Sequence, residues 1–133
     1  MNHDVYIAYN SKDKLFADGI CAALETSSIN CWIAPRDIQP GMVWAESITE
    51  AIRVSKVFIL IFSKNASQAK DLSKELVLAM NMELTVLPVS IDDTIPSGMF
   101  QYYLSGSHWV LLTNPADEMQ INKIVKHAEI LIK

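Results

Sequence analysis

Six consecutive apolar residues, Val57-Phe-Ile-Leu-Ile-Phe62, constrain the fold more than any other stretch of the chain. A strand with one wet face alternates apolar and polar side chains. An unbroken run of β-branched and aromatic residues instead belongs to a strand buried on both faces, in the middle of a parallel sheet. Such a strand needs helices on both faces, and parallel neighbours need crossover connections. The rest of the chain must therefore supply short strands and amphipathic helices in alternation.

It does. Val5 to Tyr9 is short, apolar and rich in β-formers, and Asn10-Ser11 follows as a turn in which Ser11 can cap a helix. Phe16, Ile20, Ala23 and Leu24 recur at helical spacing, which predicts a helix from Lys12 to about Thr26. Cys31-Trp32-Ile33 reads as a second strand. Trp44, Ile48, Ala51 and Ile52 share one face of a second helix, with Glu46, Glu50 and Arg53 opposite. After the central strand and the polar turn Ser63 to Ser67, a third helix runs to about Asn81 on a stripe of Leu72, Leu76, Ala79 and Met80. Thr85 to Ile91 is a fourth strand in which Pro88 lacks a ladder donor. Met99 to Leu104 makes a short helical turn and Ser107 to Leu111 a fifth, edge strand. Pro115 opens a last helix with Ile121, Ile124, Val125, Ala128 and Leu131 facing inward. The pattern predicts an α/β fold, a flavodoxin-like five-stranded parallel sheet of order 2-1-3-4-5 with helices on both faces.

A chain of 133 residues suits one domain, 1–133, with one core. Its first predicted strand starts near Met1 and its last helix runs to Lys133, as expected of a domain cut from a longer protein. Eleven Lys and Arg against fifteen Asp and Glu give a net charge of −4, which argues against nucleic-acid or anionic-membrane surfaces, since both demand a basic excess. No apolar run is long enough to span a bilayer and no basic, apolar leader opens the chain, so the cytoplasm is the expected compartment. Cys21 and Cys31 show neither CxxC nor zinc spacing and read as buried free thiols. With His3, His108 and His127 equally scattered, no metal site is expected.

The loop from Ile33 to Trp44, Ile-Ala-Pro-Arg-Asp-Ile-Gln-Pro-Gly-Met-Val-Trp, carries Pro35, Pro40 and Gly41, which forbid a regular helix or a paired strand. It follows a strand and precedes a helix, where α/β sheets bind ligands. Lys12, Lys14, Arg36, Lys64, Lys70 and Lys74 fall in or just after the first three such loops and would share one rim, although exposed lysines are the ordinary state of a surface. The four glycines are scattered, which excludes a dinucleotide fingerprint. Phe62-Ser63 and Tyr9-Asn10-Ser11 stand where a phosphoacceptor receiver needs acidic residues, and no GxSxG elbow is present.

Three blocks in this order, Asp4-Val-Tyr-Ile-Ala-Tyr-Asn-Ser-Lys-Asp13, Cys31-Trp-Ile-Ala-Pro-Arg-Asp-Ile-Gln-Pro-Gly41 and Ser73-Lys-Glu-Leu-Val-Leu-Ala79, resemble the bacterial TIR (Toll/interleukin-1 receptor) domain. The first matches that family's first-strand motif and the second its BB loop. The third matches the helix carrying the catalytic glutamate of NAD-cleaving members, here Glu75. The resemblance implies NAD+ as substrate and no cofactor. Tyr9, Asn10, Ser11, Lys12, Ala34, Arg36, Trp44 and Asp71 would line the substrate site. Pro35, Arg36, Asp37, Ile38, Pro40 and Gly41 would form an assembly loop through which homotypic TIR domains associate. It also implies similarity to TIR domains of anti-phage defence, where a fused or partner sensor drives clustering, and, as the alternative, a scaffold that signals by self-association without catalysis.

Glu75 also has a reading of its own. With Leu72, Leu76, Ala79 and Met80 facing the core, it falls at the edge of the stripe near the rim, either as a solvated helix residue or as a carboxylate that reaches a ligand. As an exposed helix-edge residue it should tolerate Gln within about 0.5 kcal/mol. In the implied chemistry the nicotinamide leaving group is already cationic, so one carboxylate can suffice where ordinary glycosides need two. Hydrolysis would give ADP-ribose, and internal attack a cyclic isomer. NAD-cleaving relatives commonly have a tryptophan four residues before this glutamate. Asp71 stands there in this chain, leaving Trp44, Trp32 or Tyr9 as stacking candidates.

Overall fold

The computed structural model describes residues 3–133. β1 (Val5–Ala8), β2 (Cys31–Ile33), β3 (Val57–Phe62), β4 (Thr85–Ser90) and β5 (Val110–Leu111) form one parallel sheet in the order 2-1-3-4-5. All six residues of β3 are fully buried, between β1 and β4. The connections are α1 (Lys14–Thr26), α2 (Trp44–Val54), the short α3 (Lys64–Ser67), α4 (Lys70–Asn81) and α5 (Gly98–Leu104), and α6 (Glu118–Ile132) closes the chain.

The two-residue repeat of the strands divides the core. Val5, Ile7, Val57, Ile59 and Ile61 point to the face covered by α1 and α6, where Ile20, Leu24, Ile124 and Ala128 meet them. Tyr6, Ala8, Phe58, Leu60 and Phe62 point to the other face, under Ile52 of α2, Leu72 and Leu76 of α4, and Phe100 and Leu104 of α5. Among the described residues no helix is long and apolar enough to cross a membrane.

The local departures from expectation have identifiable causes. Asn10, not Ser11, caps the first helical segment: its side chain accepts the Lys12 N–H, and a 3-10 turn over Ser11–Asp13 precedes α1. Ser63 to Ser67 is not a simple turn, because the Ser63 hydroxyl accepts the Ala66 N–H and so starts α3. Pro88 interrupts nothing. The N–H groups of Thr85 and Ile91 point to the β3 side, so the alternate position of Pro88 faces β5, which begins only opposite Val89. β5 is shorter than predicted because the Ser107 N–H still closes the last turn of α5 on the Leu104 carbonyl. The last helix starts at Glu118 instead of Pro115. Asn114 folds a turn onto the Ala116 N–H, and Asp117 takes the capping role by accepting the Gln120 N–H.

Asp13 joins the carboxyl ends of β1 and β3. Its buried carboxylate accepts the Ser63 hydroxyl on one oxygen and Asn65 Nδ2, at 3.0 Å, on the other. Asp13→Ala strands a buried serine and releases the loop after β3. Urea unfolding should show a loss of about 2–4 kcal/mol, with the midpoint lower and the slope unchanged. A loss under about 0.5 kcal/mol would show that the tie holds nothing together.

Candidate functional site

Beyond the carboxyl ends of β1 and β2, the start of α2 and the first two turns of α4 enclose a cleft of about 620 Å³. Of the residues expected at a substrate site, Tyr9, Asn10, Ser11, Ala34, Trp44, Asp71 and Glu75 all line it. Lys12 and Arg36 do not. Lys12 is exposed in the 3-10 turn and outside the cleft. Arg36 is committed elsewhere: its guanidinium donates to both Glu25 oxygens at 2.9 and 2.8 Å, to both Asp37 oxygens at 3.0 and 2.8 Å, and to the Cys31 carbonyl. These partners hold the Arg36 pKa above its ordinary range. The cations at the cleft are instead Lys70 and Lys74. Lys14, also expected at the rim, pairs with Asp18.

Glu75 lies on α4 at the border between the buried stripe and solvent, and it is half-buried. Its Oε1 accepts the Tyr6 hydroxyl at 2.6 Å, and among the described residues Tyr6 is its only hydrogen-bond partner, so Oε2 is unpaired on a residue that lines the cleft. Tyr6 comes from the middle of β1 and is 2% exposed. Its ring stacks between Trp32 of β2, 5.2 Å away and 8° from parallel, and Phe58 of β3, 5.3 Å away and 6° from parallel. The register explains the stack, because Tyr6 lies directly opposite both.

The carboxyl pKa of Glu75 is pushed up to about 7, chiefly because burial disfavours its charged form. The Tyr6 hydrogen bond opposes this rise, and the neighbouring Asp71 adds to it by like-charge repulsion. Burial and the adjacent carboxylate hold the Tyr6 hydroxyl protonated far above its usual range. The pair therefore consists of a permanent donor and a carboxyl group that ionises near neutrality.

The three stacking candidates separate clearly. Trp32 is buried against Tyr6 and is not among the residues that line this cleft. Tyr9 lines the cleft and donates its hydroxyl to the Ala34 carbonyl, which fixes the start of the loop after β2. Trp44, the first residue of α2, is 56% exposed at the cleft mouth, across from Asp71. Sequence reasoning missed Tyr6, which reads as an ordinary strand aromatic. Its signal was the polar tip of a side chain that β1 places on the α4 face of the sheet.

Tyr9 and the Arg36 network anchor the base of the loop after β2, and Asp37 adds a third tie by accepting the Ile33 N–H at 2.9 Å. Ile38 packs on the core. From Gln39 to Glu46 every residue is exposed, and Gly41 takes a φ of +82° that favours glycine. A second cleft, of about 640 Å³, lies beyond this loop. Its charged residues Glu25, Arg36, Asp37, Glu50 and Arg53 are paired among themselves.

Half-burial revises the expected neutrality of Glu75→Gln. Folding raises the carboxyl pKa from 4.5 to about 7, so between those values the folded chain binds more protons than the unfolded one. Stability therefore falls as pH rises through this window. A neutral Gln avoids that loss and can still accept from Tyr6. Glu75→Gln should match the wild type at pH 4 and exceed it at pH 8 by on the order of 2 kcal/mol, several degrees in Tm. Equal melting temperatures at pH 8 would show that burial does not penalise this carboxylate.

Among curated protein sequences none matches the chain. Three of the solved structures that share its fold are TIR domains or relatives in architecture. The TIR domain of the Toll-related receptor TRR-2 from Hydra magnipapillata is 19% identical over 97% of this chain and 96% of that one, with a TM-score of 0.77. The TIR domains of the activated Roq1 resistosome, which recognises the pathogen effector XopQ, are 19% identical over 95% of this chain and 99% of that one, also at 0.77. The CMP N-glycosidase BcmB of Clostridium botulinum is 12% identical over 93% and 98%, at 0.70. The family model described as TIR domain matches residues 5–125, from β1 into α6. With the 2-1-3-4-5 sheet and the loop after β2, that match makes the chain a member of the TIR domain family.

Proposed function

We propose that this TIR domain cleaves the bond between nicotinamide and ribose in NAD+, with Glu75 as the catalytic residue. The observation that carries this reading is the half-buried Glu75 carboxylate in the cleft lining, held at one oxygen by Tyr6 and unpaired at the other. Lys70 and Lys74 at the same cleft suit a diphosphate, and the exposed indole of Trp44 offers a face for a flat heterocycle. The fold is compatible with N-glycosidic chemistry, since BcmB is a CMP N-glycosidase.

In the reaction the C1′–N bond breaks and its electron pair goes to the pyridinium nitrogen, so nicotinamide leaves neutral without a general acid. Positive charge appears on the ribose ring. The Glu75 carboxylate stabilises it at short range in a partly desolvated site, where such a term is worth far more than in water. Water then attacks C1′ and passes its proton to Glu75, which returns it to solvent. The products are nicotinamide and ADP-ribose. A hydroxyl or ring nitrogen of the same molecule replacing water gives a cyclic isomer.

Self-association is the second part of the reading. The exposed run Met42, Val43 and Trp44, at 44%, 59% and 56%, joins the tip of the loop to the cleft mouth. A neighbour seated on this apolar stretch would narrow the cleft and exclude water. Activation by clustering follows, with a fused or partner sensor as its source.

Chromatography of concentrated or artificially clustered protein with NAD+ should show nicotinamide release. Glu75→Gln should lower the rate about 10²–10³-fold with the fold intact. The wild-type rate should climb as pH rises through about 7, as Glu75 ionises. NAD+ left intact at every concentration, and after clustering, would favour a TIR scaffold acting by association alone.

Gly41→Val tests the loop. No atom lies within 4 Å of an added Cβ, so the substitution acts through the +82° φ and not through a clash. Light scattering should show fewer large particles and activity per molecule should fall, with a stability loss of about 1–3 kcal/mol from the strained backbone. Unchanged particle size would remove the loop from the assembly.

A further inference from the structure

Tyr6 stands on the sheet face that is otherwise covered by apolar packing, in a slot between Trp32 and Phe58 that a phenylalanine would fill equally well. A buried phenol needs a partner for its O–H, and the one it has is Glu75, from a different element 69 positions along the chain. The two flanking rings leave the phenol no sideways freedom. The 2.6 Å bond therefore transfers the rigidity of three paired strands to a carboxylate on a helix edge.

We propose that Tyr6 is a positioning residue of the active site: it fixes the Glu75 carboxylate so that Oε2 is presented to the substrate, and it sustains the ionised form on which turnover depends. Tyr6 borders the cleft, but at 2% exposure, with its hydroxyl committed to Glu75, it acts through the carboxylate and not on the substrate. The inference rests on the reading of Glu75 as the catalytic carboxylate. The charged and titratable groups around Glu75 are Tyr6 and Tyr9 from β1 and its following loop, and Lys70, Asp71 and Lys74 from α4. The α2 side of the cleft adds Ala45, Ile48 and Thr49, none of which titrates. Tyr6 is therefore the neutral donor among these groups that touches the carboxylate directly, and its removal leaves burial and Asp71 unopposed.

The test is Tyr6→Phe, which keeps the stacked ring and removes only the hydroxyl. The acid limb of the kcat–pH profile should move up by about one pH unit, the effect of losing one hydrogen bond to a charged acceptor. The plateau kcat at high pH should also fall about three- to tenfold through misorientation, with KM within about twofold because the substrate contacts remain. A residue that only packs would move Tm and leave the acid limb where it was.

The Glu75 side-chain carboxyl carbon, followed by NMR titration in wild type and Tyr6→Phe, reads the same displacement without any turnover. If wild-type protein leaves NAD+ intact, the proposed activity fails while this titration still decides whether Tyr6 controls the carboxylate. Should Tyr6→Phe fail to fold, the wild-type Tyr6 Cζ shift must follow the Glu75 titration step for step. An unmoved Glu75 midpoint in the variant, an unmoved acid limb, or a Tyr6 Cζ signal blind to Glu75 would each overturn the proposal.

Discussion

Three aromatic rings stacked across β2, β1 and β3 set the geometry on which the site depends. Trp32, Tyr6 and Phe58 sit opposite one another in the parallel ladders, so their contact is a direct product of strand register. A slip of β1 by one residue would turn Tyr6 to the other face and put Val5 or Ile7 in its place between Trp32 and Phe58. The hydrophobic pattern that buries both faces of β3 prevents this, because every alternative register exposes or misplaces part of an otherwise well-filled core. Fold stability and the placement of the Tyr6 hydroxyl therefore come from one cause.

Glu75 is where stability and the proposed chemistry oppose each other. A carboxylate half-withdrawn from water loses solvation, which is why its pKa rises to about 7. The same withdrawal strengthens any interaction it makes with developing positive charge. Tyr6 limits the loss by donating to the charged form. Asp71, at the mouth of the cleft on the same helix, works in the opposite direction by adding negative charge beside it. The position thus couples two helix residues and one strand residue into a group that changes charge within the physiological range.

The loop after β2 has two parts with different physical characters. Its base is held by Tyr9, by the Asp37 bond to the Ile33 N–H, and by Arg36 spread over Glu25 and Asp37. Its tip, from Gln39 to Glu46, is exposed throughout. Prolines at both parts, Pro35 and Pro40, reduce the freedom of the unfolded segment and so the entropy lost in ordering it. A shaped, anchored loop with an apolar tip suits docking better than a mobile one, because less order has to be created on contact.

Fold class, strand order and the inward stripes of the helices were legible in the sequence, because the two-residue and 3.6-residue periods and the crossover rule leave few arrangements open. Glu75 at the edge of its helix stripe, and the loop between Ile33 and Trp44, were legible for the same reason: periodicity reports which way a side chain points within its own element. What lay beyond reach were relations between elements. Arg36 looked like a free cation until the fold brought Glu25 beside it, and Tyr6 looked like packing until α4 placed a carboxylate over its hydroxyl. Neither partner is near in sequence, and a polar side chain's role depends on which groups share its space. Sequence periodicity determined which surfaces are buried, and only tertiary packing decided which charges and donors meet there, since electrostatic and hydrogen-bond energies depend on distances of a few ångströms that no local pattern encodes.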